Sequence, residues 1–396
     1  MYKLVFVLFL CWSTSYSLSY DSLIAQILHN NKDIKAYSQY LAGVSIESKF
    51  NNLPPDPQVN YGIMSGSGFT SGGKHELIVM QPFEFPTVYS IKSDIASGQN
   101  LVNKFKLMEY KRDIALIAGN LIVNYLFQKK LIANYELRMS NYENIFRTIE
   151  QRFNKSEISI LEYNKSKSSL AFIRSKLNLA NIELDYIKSA IINLNGGINP
   201  EIDTNDNPIV KLDSDRDSLI NELQKLDFNN QLYDNEKELY ENKLSLTKIG
   251  WLPNFSLGYR FEREPGIDFS GAQINFSIPI FENQHKTSKA QSDLSYIELR
   301  QQAYKTNFIN NKKRLFDKLK LLESNISEQK EIINNNQFEL LQKALNLSQI
   351  NLTEFYYENT IYYDIEDSIL QIEKEFHQCY NEFMIENLLY NINNRK

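Results

Sequence analysis

Asn154 to Tyr163 reads NKSEISILEY and Asn346 to Phe355 reads NLSQINLTEF. One pattern, N-x-S-[EQ]-I-[SN]-[IL]-x-E-[YF], therefore begins at 154 and again at 346, a displacement of 192 residues. On either side of each copy lies a long polar segment with apolar residues at three- and four-residue steps, and the Asn/Ser-rich motif interrupts it. That arrangement predicts a helical hairpin with its tip at the motif, stated twice in the chain.

Working away from the tips, the return segment after the first carries Leu170, Ile173, Leu177, Ala180, Leu184, Ile187, Ile191 and Leu194, a coiled-coil seam. Thr87 to Arg152 holds no decisive breaker, and about 65 helical residues would extend roughly 100 Å. Before it, two alternating segments at 58–85 flank a Gly/Ser loop and predict a β-hairpin. Its first strand turns Val59, Tyr61 and Ile63 to one face. In the second, Leu77 and Val79 compete with Ile78 and Met80, and the facing stays open. Tyr20 to Phe50 reads as a helix with a possible kink at Asn30-Asn31.

The second half follows the same order. Residues 195–213 form a linker with Gly196, Gly197, Pro200 and Pro208, and a helix is expected from Ser214 to Ile249. A β-hairpin at 254–282 then alternates Phe255, Leu257, Tyr259 and Phe261 with polar residues, and Ala272, Ile274, Phe276, Ile278 and Ile280 likewise. A helix from Gln284 to Lys343, with Leu315, Leu319, Leu322, Ile326 and Ile333 as its seam, leads to the second tip, and a last helix runs to about Asn391. Pro57 and Gly62 align with Pro253 and Gly258, so hairpin and tip repeat together and predict an internal duplication, 19–194 and 214–396, with tips at 153–160 and 345–352.

Composition narrows the classes. Of 396 residues, 43 are basic and 48 acidic, for a net charge of −5, so no basic excess points to nucleic acid. A mean hydropathy of −0.41 excludes a helical membrane bundle. Lys3 followed by the apolar run Leu4 to Trp12 and by Ser15, Ser17 and Ser19 predicts a signal peptide over 1–18, which would remove Cys11 and leave Cys379 as a single thiol. Lipidation of Cys11 would call for a small residue where Leu10 stands. His29, His75, His285 and His377 are scattered without metal-ligand spacing, and no phosphate loop or nucleophile elbow is present, so neither cofactor nor enzymatic chemistry is expected.

The four strands are each about ten residues long, apolar on one face and polar on the other, as barrel strands crossing a lipid bilayer are. Four strands cannot close a barrel, and lipid does not tolerate open edges. Three copies would supply twelve strands, with Phe255, Leu257, Tyr259, Phe261, Ile274, Phe276 and Ile278 facing lipid and the polar faces lining a lumen. Six helical hairpins would continue the conduit. The competing readings are a periplasmic coiled-coil scaffold or adhesin and a periplasmic adaptor, neither with a pore.

The opening SYDSLIAQILHNNKDIK (Ser19 to Lys35), the strand pair WLPNFSLGYRFE (Trp251 to Glu262) with GAQINFSIPIF (Gly271 to Phe281), and both tips together resemble the TolC-type outer-membrane factors of bacterial efflux and type I secretion, over nearly all of the mature sequence. The resemblance implies a mainly α fold with long helical hairpins forming an α-barrel and four strands per chain completing a 12-stranded β-barrel in a homotrimer. It implies a passive export channel in the outer membrane of a Gram-negative bacterium, its helical part in the periplasm, joined by an adaptor to an inner-membrane transporter. At the family's tips a basic residue, an aromatic, a Gly, a hydroxyl residue and an acid occur in order. Arg152, Phe153, Ser159 and Glu162 fit that pattern, Lys343, Asn351 and Glu354 fit it more loosely, and Ser156 and Ser348 replace the Gly. The docking tips implied are Arg152, Asn154, Ser156, Ile158, Asn346, Ser348 and Ile350. Glu354 and Glu162 are the implied acids of the periplasmic aperture, with Tyr357 where a second acid can stand. Leu345 and Ile350 occupy the places of a Tyr and Arg latch found in some members, so no such latch carries over.

Overall fold

In this computed structural model the residues described are 20–66, 72–202, 215–279, 281, 283, 285–332 and 337–394. The expected signal peptide, Ser67 and Gly68 of the first hairpin loop, 203–213 of the expected linker, Ile280 and Ile333 lie outside them. Among the described residues the chain forms two compact units. One takes its residues from Met1–Lys32, Arg112–Leu226 and Lys312–Lys396, the other from Asp33–Lys111 and Asp227–Asn311.

The first described helix, α1 (Tyr20–Asn30), buries Leu23, Ile24, Ile27 and Leu28 on one stripe. The Asn30-Asn31 kink is a break, since the next helix, α2, covers Lys32–Phe50. Asn31, only 1% exposed, gives its N–H to the Ile27 carbonyl and its Nδ2 to the Leu194 carbonyl, both at 2.9 Å. Two buried groups are thereby satisfied where the helix ends. Asn30 Nδ2 donates to Asn195 Oδ1 at 3.0 Å. The turn it meets needs glycine: Gly196 has a φ of 71°, and a Cβ on it would lie 2.5 Å from the Asn30 carbonyl oxygen.

The long helix α3 (Pro86–Asn154) opens on a proline, suited to the first turn because its missing N–H would have had no helical partner. Its return partner α4 (Ile160–Leu194) buries Ile173, Ala180, Leu184, Ile187 and Ile191 of the expected seam, with Leu170, Leu177 and Leu194 half-buried. The single helix expected from Ser214 to Ile249 is two, α5 (Arg216–Leu226) and α6 (Phe228–Lys248). Asp227 divides them: its carboxylate accepts the Asn229 N–H at 3.0 Å, capping α6, and the Tyr304 hydroxyl at 2.7 Å.

Four antiparallel strands, β1 (Gln58–Ser65), β2 (Gly73–Phe83), β3 (Asn254–Glu264) and β4 (Ile267–Ser277), form one sheet in the order β1-β2-β3-β4. Ile278 lies one residue beyond β4 and belongs to no strand, a correction to the sequence reading. The β2–β3 pairing joins hairpins far apart in the chain, with Val79 opposite Tyr259 and Met80 opposite Gly258. Gly258 admits this approach, because a Cβ there would fall 2.1 Å from the Val79 carbonyl oxygen and 2.3 Å from Met80 Sδ.

After the sheet, α7 (Lys286–Ile332) buries Leu315, Leu319 and Leu322. The expected helix from Gln284 to Lys343 is described as α7 and the shorter α8 (Gln337–Asn346), and α9 (Leu352–Asn394) follows the second tip.

Candidate functional site

Register decides the faces of the sheet, because residues directly opposite in an antiparallel pair share a side. Phe255 stands opposite Phe276 and Leu257 opposite Ile274, while Tyr259 and Phe261 stand opposite Val79 and Leu77, which in turn face Val59 and Tyr61. The facing left open for β2 is thus settled in favour of Leu77 and Val79. This apolar side is bare: Val59, Tyr61, Ile63, Leu257, Tyr259 and Ile274 are all exposed, and Phe276 is 71% exposed. Phe255 and Phe261 are partly covered by neighbours, Phe255 by a stack on Phe83 with ring centres 5.7 Å apart. Toward the hairpin turns the face becomes polar, with Arg263 bonded to Asp268 through two contacts of 2.9 and 3.0 Å and Tyr61 Oη 2.9 Å from His75 Nδ1. Aromatics edging an apolar band with charges beyond it are the profile of a bilayer-facing surface.

On the opposite side sit Lys74, Glu76, Arg260, Glu262 and Glu264, followed away from the turns by the uncharged Gln273, Asn275 and Ser256. Glu76 and Glu262 are directly opposite one another. Arg260 bridges them, 2.6 Å from Glu76 and also bonded to Glu262, and Lys74 lies 3.2 Å from Glu262 and 3.3 Å from Glu264. Among the described residues β1 and β4 each pair on one side only. No described helix is long and apolar enough to cross a membrane.

The two tips are built alike. Ser156 and Ser348 have φ of 57° and 56°, the left-handed conformation that favours glycine. Around the first, the Glu157 N–H reaches the Arg152 carbonyl at 2.9 Å and the Ser156 N–H the Phe153 carbonyl at 2.8 Å. Around the second, Gln349 reaches Ala344 at 2.9 Å and Ser348 reaches Leu345 at 3.0 Å. These are Schellman closures, which satisfy the terminal carbonyls of a helix. Each return helix then opens with a capping box. Ser159 N–H donates to Glu162 Oε2 at 2.9 Å and Glu162 N–H to Ser159 Oγ at 3.2 Å, while Asn351 and Glu354 exchange the same two bonds at 2.8 and 2.9 Å. The sequence reading missed this job of the two acids, though S-x-x-E at 159–162 was visible. Arg152, Asn154, Ser156, Asn346 and Ser348 are exposed, Ile158 and Ile350 half-buried, and Phe153 stacks on Tyr163 at 4.7 Å.

Two buried ionic contacts went unread in the sequence. Arg138, its side chain 3% exposed, lies 3.0 Å from Glu366 and 2.8 Å from Asp367, linking α3 to α9. Lys312 gives Nζ bonds to Glu386 Oε2 at 2.6 Å and to the Phe383 and Glu382 carbonyls at 2.7 and 3.0 Å. The signal for both was a charge placed on an apolar stripe, Arg138 between Tyr135 and Tyr142, and Lys312 between Phe308 and Leu315. Among the described residues no group of His, Cys, Asp and Glu could hold a metal ion.

No protein-family model matches the chain, and no curated protein sequence does. Solved structures do. A membrane protein from Pseudomonas aeruginosa is similar at 12% identity and a TM-score of 0.76, over 93% of this chain and 89% of its own. The outer-membrane channel OprN matches at 10% identity and 0.74 over the same shares, and the Campylobacter jejuni CmeC outer membrane channel at 11% and 0.72, over 93% and 85%. The chain has the fold of these proteins: long helices with a four-stranded antiparallel sheet.

Proposed function

We propose that this chain is a passive outer-membrane export channel that works as a homotrimer, with twelve strands closed into a barrel and the helical hairpins in the periplasm. The observation that carries the reading is the sheet: one side bare and apolar, the other charged, with two edges that pair on one side only. In lipid such edges must be covered, and copies of the same sheet cover them most simply. The fold shared with solved outer-membrane channels supports it. Substrate enters at the tips from a periplasmic adaptor and an inner-membrane transporter, which supplies the energy, and leaves through the barrel.

Within this reading Arg152, Asn154, Ser156, Ile158, Asn346, Ser348 and Ile350 are the adaptor-docking residues, and Glu354 with Glu162 charges the aperture. Three copies of Glu354 at a narrow mouth favour cations. Glu354→Gln is the suitable probe, because an amide oxygen can still accept the Asn351 N–H while the charge is lost. A weakened cation preference in single-channel recordings supports the aperture role, and unchanged selectivity removes it. The channel reading itself is tested by extracting the protein from membranes in detergent, measuring its mass, and reconstituting it in planar bilayers. A three-fold protomer mass with discrete conductance steps is expected. Recovery as a monomer from the periplasm without detergent, and no conductance, would sink it.

A further inference from the structure

The charges on the polar side of the sheet are not spread along it. Lys74, Glu76, Arg260, Glu262 and Glu264 occupy adjacent positions at the hairpin-turn end of β2 and β3. The rows away from the turns are uncharged, Met80–Gly258–Gln273 and Pro82–Ser256–Asn275. Like charges directly across an antiparallel pair oppose folding, and the Glu76–Glu262 pair has two cations beside it, Arg260 and Lys74. Pairing balances most of the belt, in which the Glu76 and Glu262 side chains are half-buried. What remains after pairing is an excess: three carboxylates against two cations, one net negative charge per chain.

We propose that this belt sets a cation preference at the hairpin end of the conduit, separate from the Glu354 mouth, so that cationic and zwitterionic cargo passes it more readily than anionic cargo. The inference rests on the channel reading above. Closure by three copies turns the belt into a ring that carries its charge into the lumen, where a field reaches about 30 Å at 0.01 M salt and about 3 Å at 1 M. The preference therefore belongs to low ionic strength.

The test is the permeability ratio of potassium over chloride for the reconstituted full-length trimer, measured across gradients near 0.01 M and near 1 M. Arg260→Gln doubles the excess for each chain, and the ratio is expected to rise at least two-fold at low salt. Glu264→Gln cancels the excess at a carboxylate held only by Lys74, and the ratio is expected to fall toward unity. This second variant leaves the facing Glu76 and Glu262 with both their cations, so it assembles even where Arg260→Gln does not. Both shifts should vanish at 1 M. Conducting variants with an unchanged ratio at low salt overturn the inference and leave the channel reading standing. A wild-type protein that assembles but never conducts overturns both.

Discussion

Ser156 and Ser348 hold the left-handed backbone at the two tips, a conformation that costs a residue with a Cβ about 1–2 kcal/mol. Ser156→Gly and Ser348→Gly should therefore tighten each Schellman closure by about 1 kcal/mol, read as slower amide exchange at Glu157 and Gln349; faster exchange would contradict the strain. The capping boxes give a matching result in the other direction. Glu354→Ala removes both charge and acceptor and should cost about 1 kcal/mol of local helix stability, whereas Glu354→Gln keeps most of it. His377 is governed by burial. Packed against Phe127 and near Lys130, its pKa is pushed down to about 4, first by loss of water and then by the lysine, with Glu373 opposing. The folded chain then resists a proton that the unfolded chain accepts below about 6.5, so stability falls as pH drops from 6.5 toward 4. His377→Leu should shrink the loss of thermal stability between pH 7 and pH 5, by up to about 2 kcal/mol; an unaltered acid limb would show that another group carries it.

Helices α7 and α9 are held in register by Lys312 and Glu386, each with its side chain 4% exposed. Removing the ammonium leaves a carboxylate buried without its cation, and Lys312→Met should cost about 3–5 kcal/mol. The double change Lys312→Met with Glu386→Leu should recover most of that, measured as the denaturation midpoint of the helical signal. No recovery would mean that packing, not charge, sets the register. In the sheet, Gly258→Val should separate β2 from β3, since its first carbon already meets the Val79 backbone, and on the proposed channel reading the readout is loss of assembled barrel in the membrane fraction. The helices themselves were readable from three- and four-residue spacing. The α5–α6 break was not, because a single Asp within a segment of helical spacing does not announce itself as a cap, and the Tyr304 hydroxyl that also bonds Asp227 is 77 residues away.

On the proposed channel reading, the two sides of the sheet make opposite demands of neighbouring residues. Ile274→Arg would put a cation against the hydrocarbon, at about 2–4 kcal/mol near the bilayer midplane, and should deplete trimer from the outer membrane. Asn275→Arg, one residue on and facing the other way, should assemble normally. Equal damage from both would mean that the bare apolar side does not meet lipid.

Local pattern in the chain was enough for the elements and their faces: the alternation of Phe255 to Phe261, the stripe of α4, the breakers at both tips. These depend on neighbours within a turn or a strand, and periodicity records them. Two things needed distant residues brought together. The β2–β3 pairing assigned Leu77 and Val79 to the apolar side, which their own strand could not do because Ile78 and Met80 were equally apolar. Arg138 and Lys312 acquired partners from α9. In both cases the outcome rests on a contact whose partner is remote, and spacing in a sequence carries no record of it.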